Sequence, residues 1–168
     1  MAKRLVCSSG KVCVIVMLVF SLLAVAGASW GADKAAPDFA LKDVLQGKDY
    51  SLNQFRGKVV MINFFTFFCG PCREEMPDLN KINNELKGQG LQTLGIALSS
   101  DPTQIRFLVK QLGLEYPVLI GNDKVGEAYG NVAVVPTTFI IDKQGNIVHK
   151  IEGTRKKAEF VKLIQPLL

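Results

Sequence analysis

Met61-Ile62-Asn63-Phe64-Phe65-Thr66-Phe67-Phe68-Cys69-Gly70-Pro71-Cys72-Arg73-Glu74-Glu75-Met76-Pro77 runs from an apolar strand through a pair of cysteines into a helix. The rest of the chain reads as support for that pair. A Cys-x-x-Cys at the first turn of a helix lets the two sulfurs close a small disulfide ring and open it again. The first sulfur meets unpaired backbone N–H groups and the positive end of the helix dipole, which favour an anion. Cys69 is therefore the expected nucleophile, with a lowered pKa, and Cys72, one turn deeper, the resolving thiol. Pro71 suits a first turn where a missing N–H costs nothing, and Gly70 leaves room for a partner backbone to approach Cys69.

Two other uses of the pair have to be weighed. A closed zinc site usually takes four ligands. Beyond this pair the chain supplies only Cys7, Cys13 and one histidine, His149. A purely structural disulfide would gain little loop entropy from so short a ring. Redox chemistry leads over both.

Composition narrows the function classes further. The 168 residues, 48% of them hydrophobic, suffice for one domain with a real core. Of the formal charge of +5, Lys3, Arg4 and Lys11 carry three, so the remainder is close to neutral. The other basic residues are scattered among acids, which speaks against nucleic-acid binding. Residues 1–28 pair a basic start with an apolar run from Val12 to Ala28 and end on Ala26-Gly27-Ala28, the small residues of an export-signal cleavage site. The run is about 17 residues, at the lower limit for a spanning helix, so cleavage and retention as an N-terminal membrane anchor both stay open. Either way the domain is expected outside the cytoplasm. Without the leader only Cys69 and Cys72 remain, and in an oxidising compartment such a pair needs partners that hold its redox state.

Residues 29–36 read as a mobile linker and 37–168 as the domain. Phe39 and Leu41, a turn at Gln46-Gly47-Lys48, then Tyr50 and Leu52 predict a hairpin. Ser51 to Gln54 has the pattern of a capping box opening a short helical turn. Lys58 to Phe65 is apolar at nearly every position, as in a strand buried on both faces, so the cysteines fall at the carboxyl end of a central strand. The following helix carries Met76, Leu79, Ile82 and Leu86 on one side, with a kink expected at Pro77. Leu91 to Leu98 is the next strand. Asp101 then caps a helix with Pro102 at its first position and Ile105, Leu108, Val109 and Leu112 at helical spacing, up to Gly113. A short strand at Pro117 to Ile120, a short helix at Asp123 to Tyr129, a hairpin of Thr137 to Asp142 with Ile147 to Glu152 turning at Gly145, and a last helix from about Thr154 complete the chain. That helix is expected to bury Phe160, Leu163, Ile164 and Leu167. Phe64 and Phe65 read as core, Phe67 and Phe68 as a partly exposed docking surface beside the nucleophile, and His149 as an outward strand residue.

Phe68-Cys69-Gly70-Pro71-Cys72, the helix proline Pro77, Val135-Pro136-Thr137 before the last hairpin, and an added strand and helix within Leu91 to Leu112 together resemble the thioredoxin superfamily over Pro37 to Leu168. The resemblance is to its exported TlpA/ResA-like branch, which includes the CcmG-type reductants of cytochrome c maturation. It implies an α/β thioredoxin-like fold: a central mixed sheet with helices on both faces, an N-terminal hairpin and an extra central strand-helix insertion. It implies a protein-disulfide oxidoreductase whose only redox centre is the Cys69–Cys72 pair, with no further cofactor. The partners would be an oxidised client protein and a membrane thiol-disulfide electron donor, in the periplasm or at the outer face of the cytoplasmic membrane.

By the same resemblance Pro136 is the cis-proline that lies against the dithiol and leaves the backbone at Val135 free to pair with a client, and Glu75 is the acid near the active site. Glu75 follows Cys72 by three residues, which puts both on one helix face. Two departures stand out. Phe68 occupies a place where tryptophan is usual, and Asn63 the place where plain thioredoxin buries an aspartate. An amide cannot take a proton as a carboxylate does, so proton handling is expected to fall to Glu75. Two other classes compete. Thr66-Phe67-Phe68-Cys69 superficially matches a peroxiredoxin Thr-x-x-Cys, although Ile62 stands where that motif has proline. A copper-binding assembly factor would need more histidine than the chain has.

Overall fold

The computed structural model describes residues 34–168, so the leader and most of the expected linker lie outside the described residues. The linker does not extend to residue 36. Lys34–Ala35 form β1, an edge strand antiparallel to β8 at Asn146–Glu152.

The sheet is built on β4, Val59–Phe65, all of whose residues are buried. β4 pairs in parallel with β5, Leu91–Ala97, and antiparallel with β7, Thr137–Ile141, giving a mixed sheet in the order β1-β8-β7-β4-β5-β6, with β6 at Val118–Ile120. An unbroken apolar run suits this place because a central strand has no solvent face.

One face is covered by α1, Gly70–Leu86, α2, Pro102–Leu112, and α4, Lys157–Ile164. Met76, Leu79, Ile82, Leu108, Phe160 and Ile164 pack there on Met61 and Phe65. The opposite face is covered by α3, Asp123–Ala128, and by the amino-terminal segment, with Phe39, Leu41, Leu52 and Tyr129 against Ile62, Phe64 and Phe139. Helices cover both faces, as expected, and within Leu91 to Leu112, where the added strand and helix are expected, the chain forms β5 and α2. α1 runs from Gly70 to Leu86 through Pro77.

The predicted hairpin is β2, Leu41–Lys42, with β3, Asp49–Tyr50. What attaches it to the sheet is Asp43, 4% exposed. Its Oδ1 accepts the N–H groups of Leu45 and Gln46, and its Oδ2 accepts that of Val118 at 3.2 Å, while Val44 N–H donates to the Val118 carbonyl at 2.8 Å. The hairpin thus covers part of the β6 edge, which would otherwise present unpaired backbone groups.

Local differences have identifiable causes. The helical turn at Leu52–Phe55 forms, but the Ser51 side chain does not cap it. Asp38, from the preceding segment, accepts the Asn53 N–H at 3.2 Å instead. α4 begins at Lys157, later than periodicity indicates: Lys156 is its N-cap with extended backbone, and the Arg155 N–H just before it donates to the Glu75 carboxylate at 2.8 Å. Of the four residues expected to be buried by that helix, Phe160 and Ile164 are, whereas Leu163 and Leu167 are only half-buried.

Candidate active site

Cys69 is the N-cap of α1, with extended backbone, and Cys72 sits in the first turn. The sulfurs are joined at 2.03 Å, with Cα atoms 5.3 Å apart. The environments of the two sulfurs differ as the spacing predicts. Cys69 is half-buried, whereas Cys72 is 1% exposed. The Cys72 N–H, one of the orphan donors of the helix start, points at Cys69 Sγ at 3.1 Å. A thiolate on Cys69 would find that donor and the helix dipole already in place.

The loop carrying Cys69 is also held by a residue that belongs to no motif. Phe67 N–H donates to Ser100 Oγ at 3.0 Å, and that hydroxyl donates to the Leu98 carbonyl at 2.7 Å. Ser100 follows β5, so the parallel β4–β5 pairing is what brings it here. Phe68 projects into solvent, 80% exposed, with Phe67 edge-on behind it at 5.1 Å and the Arg73 guanidinium over the Phe67 ring at 5.7 Å. Gly70 and Pro71 are exposed beside it. A Cβ built on Gly70 would meet nothing within 4 Å among the described residues, so their packing does not demand glycine there.

The loop before β7 closes the other side. The Val135–Pro136 peptide is cis, Pro136 is buried, and the Val135 carbonyl oxygen lies 3.7 Å from Cys69 Sγ. Val134, the next residue upstream, is 49% exposed. Thus Phe68, Gly70, Pro71, Val135 and Pro136, separated by more than sixty positions in sequence, flank one sulfur.

Glu75 is 5% exposed. Its Oε1 accepts the Arg155 N–H at 2.8 Å and its Oε2 accepts Asn63 Nδ2 at 3.2 Å. Burial raises its pKa, while these two bonds and the Arg155 charge pull the other way. Asn63, on β4, donates with the same amide nitrogen to Thr138 Oγ1 on β7 at 2.9 Å. Glu75 also lines a cleft of about 350 Å³ with Glu74, Asp78, Thr154 and Arg155. Glu74, its neighbour, is exposed. Tyr116, just before β6, is 3% exposed; burial pushes its phenol up and the Glu75 charge adds to that push.

Thr138, Ser100 and Tyr116 were not singled out by sequence reasoning. Each is an ordinary strand or loop residue whose role here comes from its neighbours in space. Among the described residues no group of three or more His, Cys, Asp or Glu is arranged to hold a metal ion, and no helix is long and apolar enough to cross a membrane. His149 is half-buried on β8, opposite Ile140.

Comparison with known proteins agrees with this geometry. Residues 31–164 match the Redoxin family. The chain is 40% identical over 140 residues to the thiol-disulfide oxidoreductase ResA of Bacillus thuringiensis subsp. konkukian, covering 79% of this chain and 78% of that one. It is 36% identical over 133 residues to the ResA of Geobacillus kaustophilus, covering 79% of this chain and 75% of that one. Among solved structures, a thioredoxin-family thiol:disulfide interchange protein of Chlorobium tepidum superposes with a TM-score of 0.76 at 30% identity, over 82% of this chain and 97% of that one.

Proposed function

The chain belongs to the Redoxin family and is a ResA-like thiol-disulfide oxidoreductase with a thioredoxin-like fold, and we propose that it reduces disulfides of client proteins outside the cytoplasm. The observation that carries this reading is the asymmetry of the pair: one sulfur half-exposed with an N–H donor aimed at it, the other buried.

The reaction follows from that asymmetry. In the reduced protein the Cys69 thiolate attacks one sulfur of a client disulfide, forming a mixed disulfide and expelling the client's other sulfur as thiolate. Cys72 then loses its proton and attacks Cys69 Sγ, the Cys69–client bond breaks, and the client leaves with both sulfurs reduced while Cys69–Cys72 becomes the disulfide. Two electrons pass from protein to client. The pair is itself the redox centre and needs no other cofactor. A membrane thiol-disulfide donor restores the dithiol by the reverse exchange.

The client lies across Phe68, Gly70 and Pro71 on one side and Val135 and Pro136 on the other. Its backbone pairs with the chain at Val135, as an added strand would. Glu75 takes the Cys72 proton during resolution, through a hydrogen bond or one water. Its burial raises the pKa toward the range where a carboxylate accepts a proton usefully. Gly-Pro between the cysteines resembles the reducing end of the family, near about −270 mV for thioredoxin against about −120 mV for the strong oxidants. An apocytochrome c is the client that the TlpA/ResA/CcmG resemblance favours, with the protein in the periplasm or at the outer face of the membrane, secreted or anchored by residues 1–28.

The test is trapping in cells. With Cys72→Ser, client proteins accumulate as disulfides on Cys69 and are identified directly. Capture of cytoplasmic proteins alone, or equal trapping by Cys69→Ser, overturns the assignment.

A further inference from the structure

Asn63 is the conspicuous polar residue of β4. It is 1% exposed in a strand whose other members are apolar, on the face under α1. A buried amide must be matched, and here both of its N–H groups are: one goes to Glu75 Oε2 at 3.2 Å, the other to Thr138 Oγ1 at 2.9 Å. Register makes this possible, because Thr138 is the direct partner of Asn63 across the β4–β7 ladder. Turning the amide over would set its oxygen against the ionised carboxylate, so while Glu75 is ionised the amide presents its NH₂ to it.

We propose that Asn63, oriented by Thr138, is a positioning residue for Glu75, whose amide fixes the carboxyl group beneath the dithiol helix and holds it in its ionised form between proton transfers. This deepens, and rests on, the assignment of Glu75 as the proton acceptor. The Arg155 N–H holds the other carboxylate oxygen at 2.8 Å, so the group is gripped at both ends by donors from different elements. Donors of this kind stabilise the anion and oppose the burial that favours the acid.

The other groups facing Glu75 are the Arg155 and Asp78 charges and the Tyr116 phenol, with Glu74, Lys156 and Glu159 around the cleft. Asn63 differs from all of these in being both buried and incapable of titrating. An aspartate in its place would put a second carboxylate within hydrogen-bonding distance of Glu75, and the two would have to share a proton. The amide leaves Glu75 as the carboxyl that titrates there.

The test reads Glu75 itself. Carboxyl-carbon NMR titration of the full chain, oxidised, follows its midpoint, and the pH dependence of insulin-disulfide reduction is measured on the same variants. Loss of one donor to a charged group corresponds to roughly 10-fold to 100-fold in proton affinity, or about one to two pH units. Asn63→Leu should raise the Glu75 midpoint by that amount. Thr138→Val, nearly the same shape, should move it the same way by less, and Thr138→Ser, which keeps the oxygen, should retain the parental midpoint. Should Asn63→Leu not fold, the contrast between Thr138→Val and Thr138→Ser decides alone. A parental midpoint in Asn63→Leu and in Thr138→Val overturns the proposal. A shifted midpoint with an unshifted pH–rate profile supports the clamp and overturns the proton-accepting role of Glu75, so the two failures are told apart.

Discussion

Glu75→Gln is the substitution whose consequences the structure reverses most clearly. Read from the sequence, glutamine preserves size and helix propensity, so little loss of stability is expected. In the structure the carboxylate accepts from Arg155 N–H on one oxygen and from Asn63 Nδ2 on the other. Glutamine offers one accepting oxygen, and its NH₂ must face the remaining donor. One charge-assisted bond, of about 1.5–3 kcal/mol, is lost and a buried N–H is left unmatched at a cost of about 1–3 kcal/mol. Against these stands the relief of no longer burying a charge. The net expected loss at neutral pH is about 1–2 kcal/mol, a fall of roughly 3–10 °C in Tm for a domain of this size.

The pH dependence has a definite sign. The folded pKa of Glu75 is raised above its ordinary 4.5, so between the two values the folded state binds more protons than the unfolded one. Stability of the parent therefore falls as pH rises from about 4.5 through the folded pKa, then levels off. The glutamine variant lacks that slope, so its deficit is largest at acid pH and narrows as pH rises. Turnover should fall on the order of 100-fold, the low end for a positioned acid or base. Calorimetric melts from pH 4 to 8 and pH–rate profiles of parent and variant make the measurement. Equal Tm at every pH together with a parental pH–rate profile would refute the account of a gripped, proton-accepting Glu75.

Other expectations follow from single contacts. Cys69→Ser should abolish disulfide reduction, while Cys72→Ser should leave long-lived mixed disulfides with a model client on non-reducing gels. Phe68→Ala removes a ring that is 80% exposed, so client KM should rise several-fold with Tm unchanged; a lower Tm with unchanged KM would contradict its role as a docking residue. Asp43→Ala strips the acceptor from the Leu45, Gln46 and Val118 N–H groups and should cost about 2–4 kcal/mol in denaturant melts without changing the Cys69–Cys72 redox potential. Gly95→Ala puts a Cβ 3.3 Å from Phe65, Tyr116 and Val118 side chains, and overpacking of about 1–3 kcal/mol should appear in the same melts.

The elements of this fold were legible because their signals are local. Seven buried residues in a row from Val59 mark a central strand, Asp101-Pro102 starts a helix by capping Thr103 and Gln104, and Gly145 turns the last hairpin at a φ of +89°. The dithiol was legible for the same reason, since spacing and helix position are properties of adjacent residues. The helix macrodipole and orphan N–H groups then assign the roles of Cys69 and Cys72 without any distant partner.

What sequence could not supply lies wherever a group is satisfied across the fold. Ser51 has the pattern of a cap, yet Asp38 takes the bond; Thr154 has the pattern of a helix start, yet Lys156 is the N-cap. Asp43, Ser100 and Thr138 carry no motif, because a hydrogen bond between strands depends on which strands are neighbours and in what register. Periodicity and spacing decided that Cys69 and Cys72 would sit at the end of a central strand. Only the sheet order, which puts β7 and β5 on either side of β4, decided that Asn63 would meet Thr138 and Glu75 beneath them.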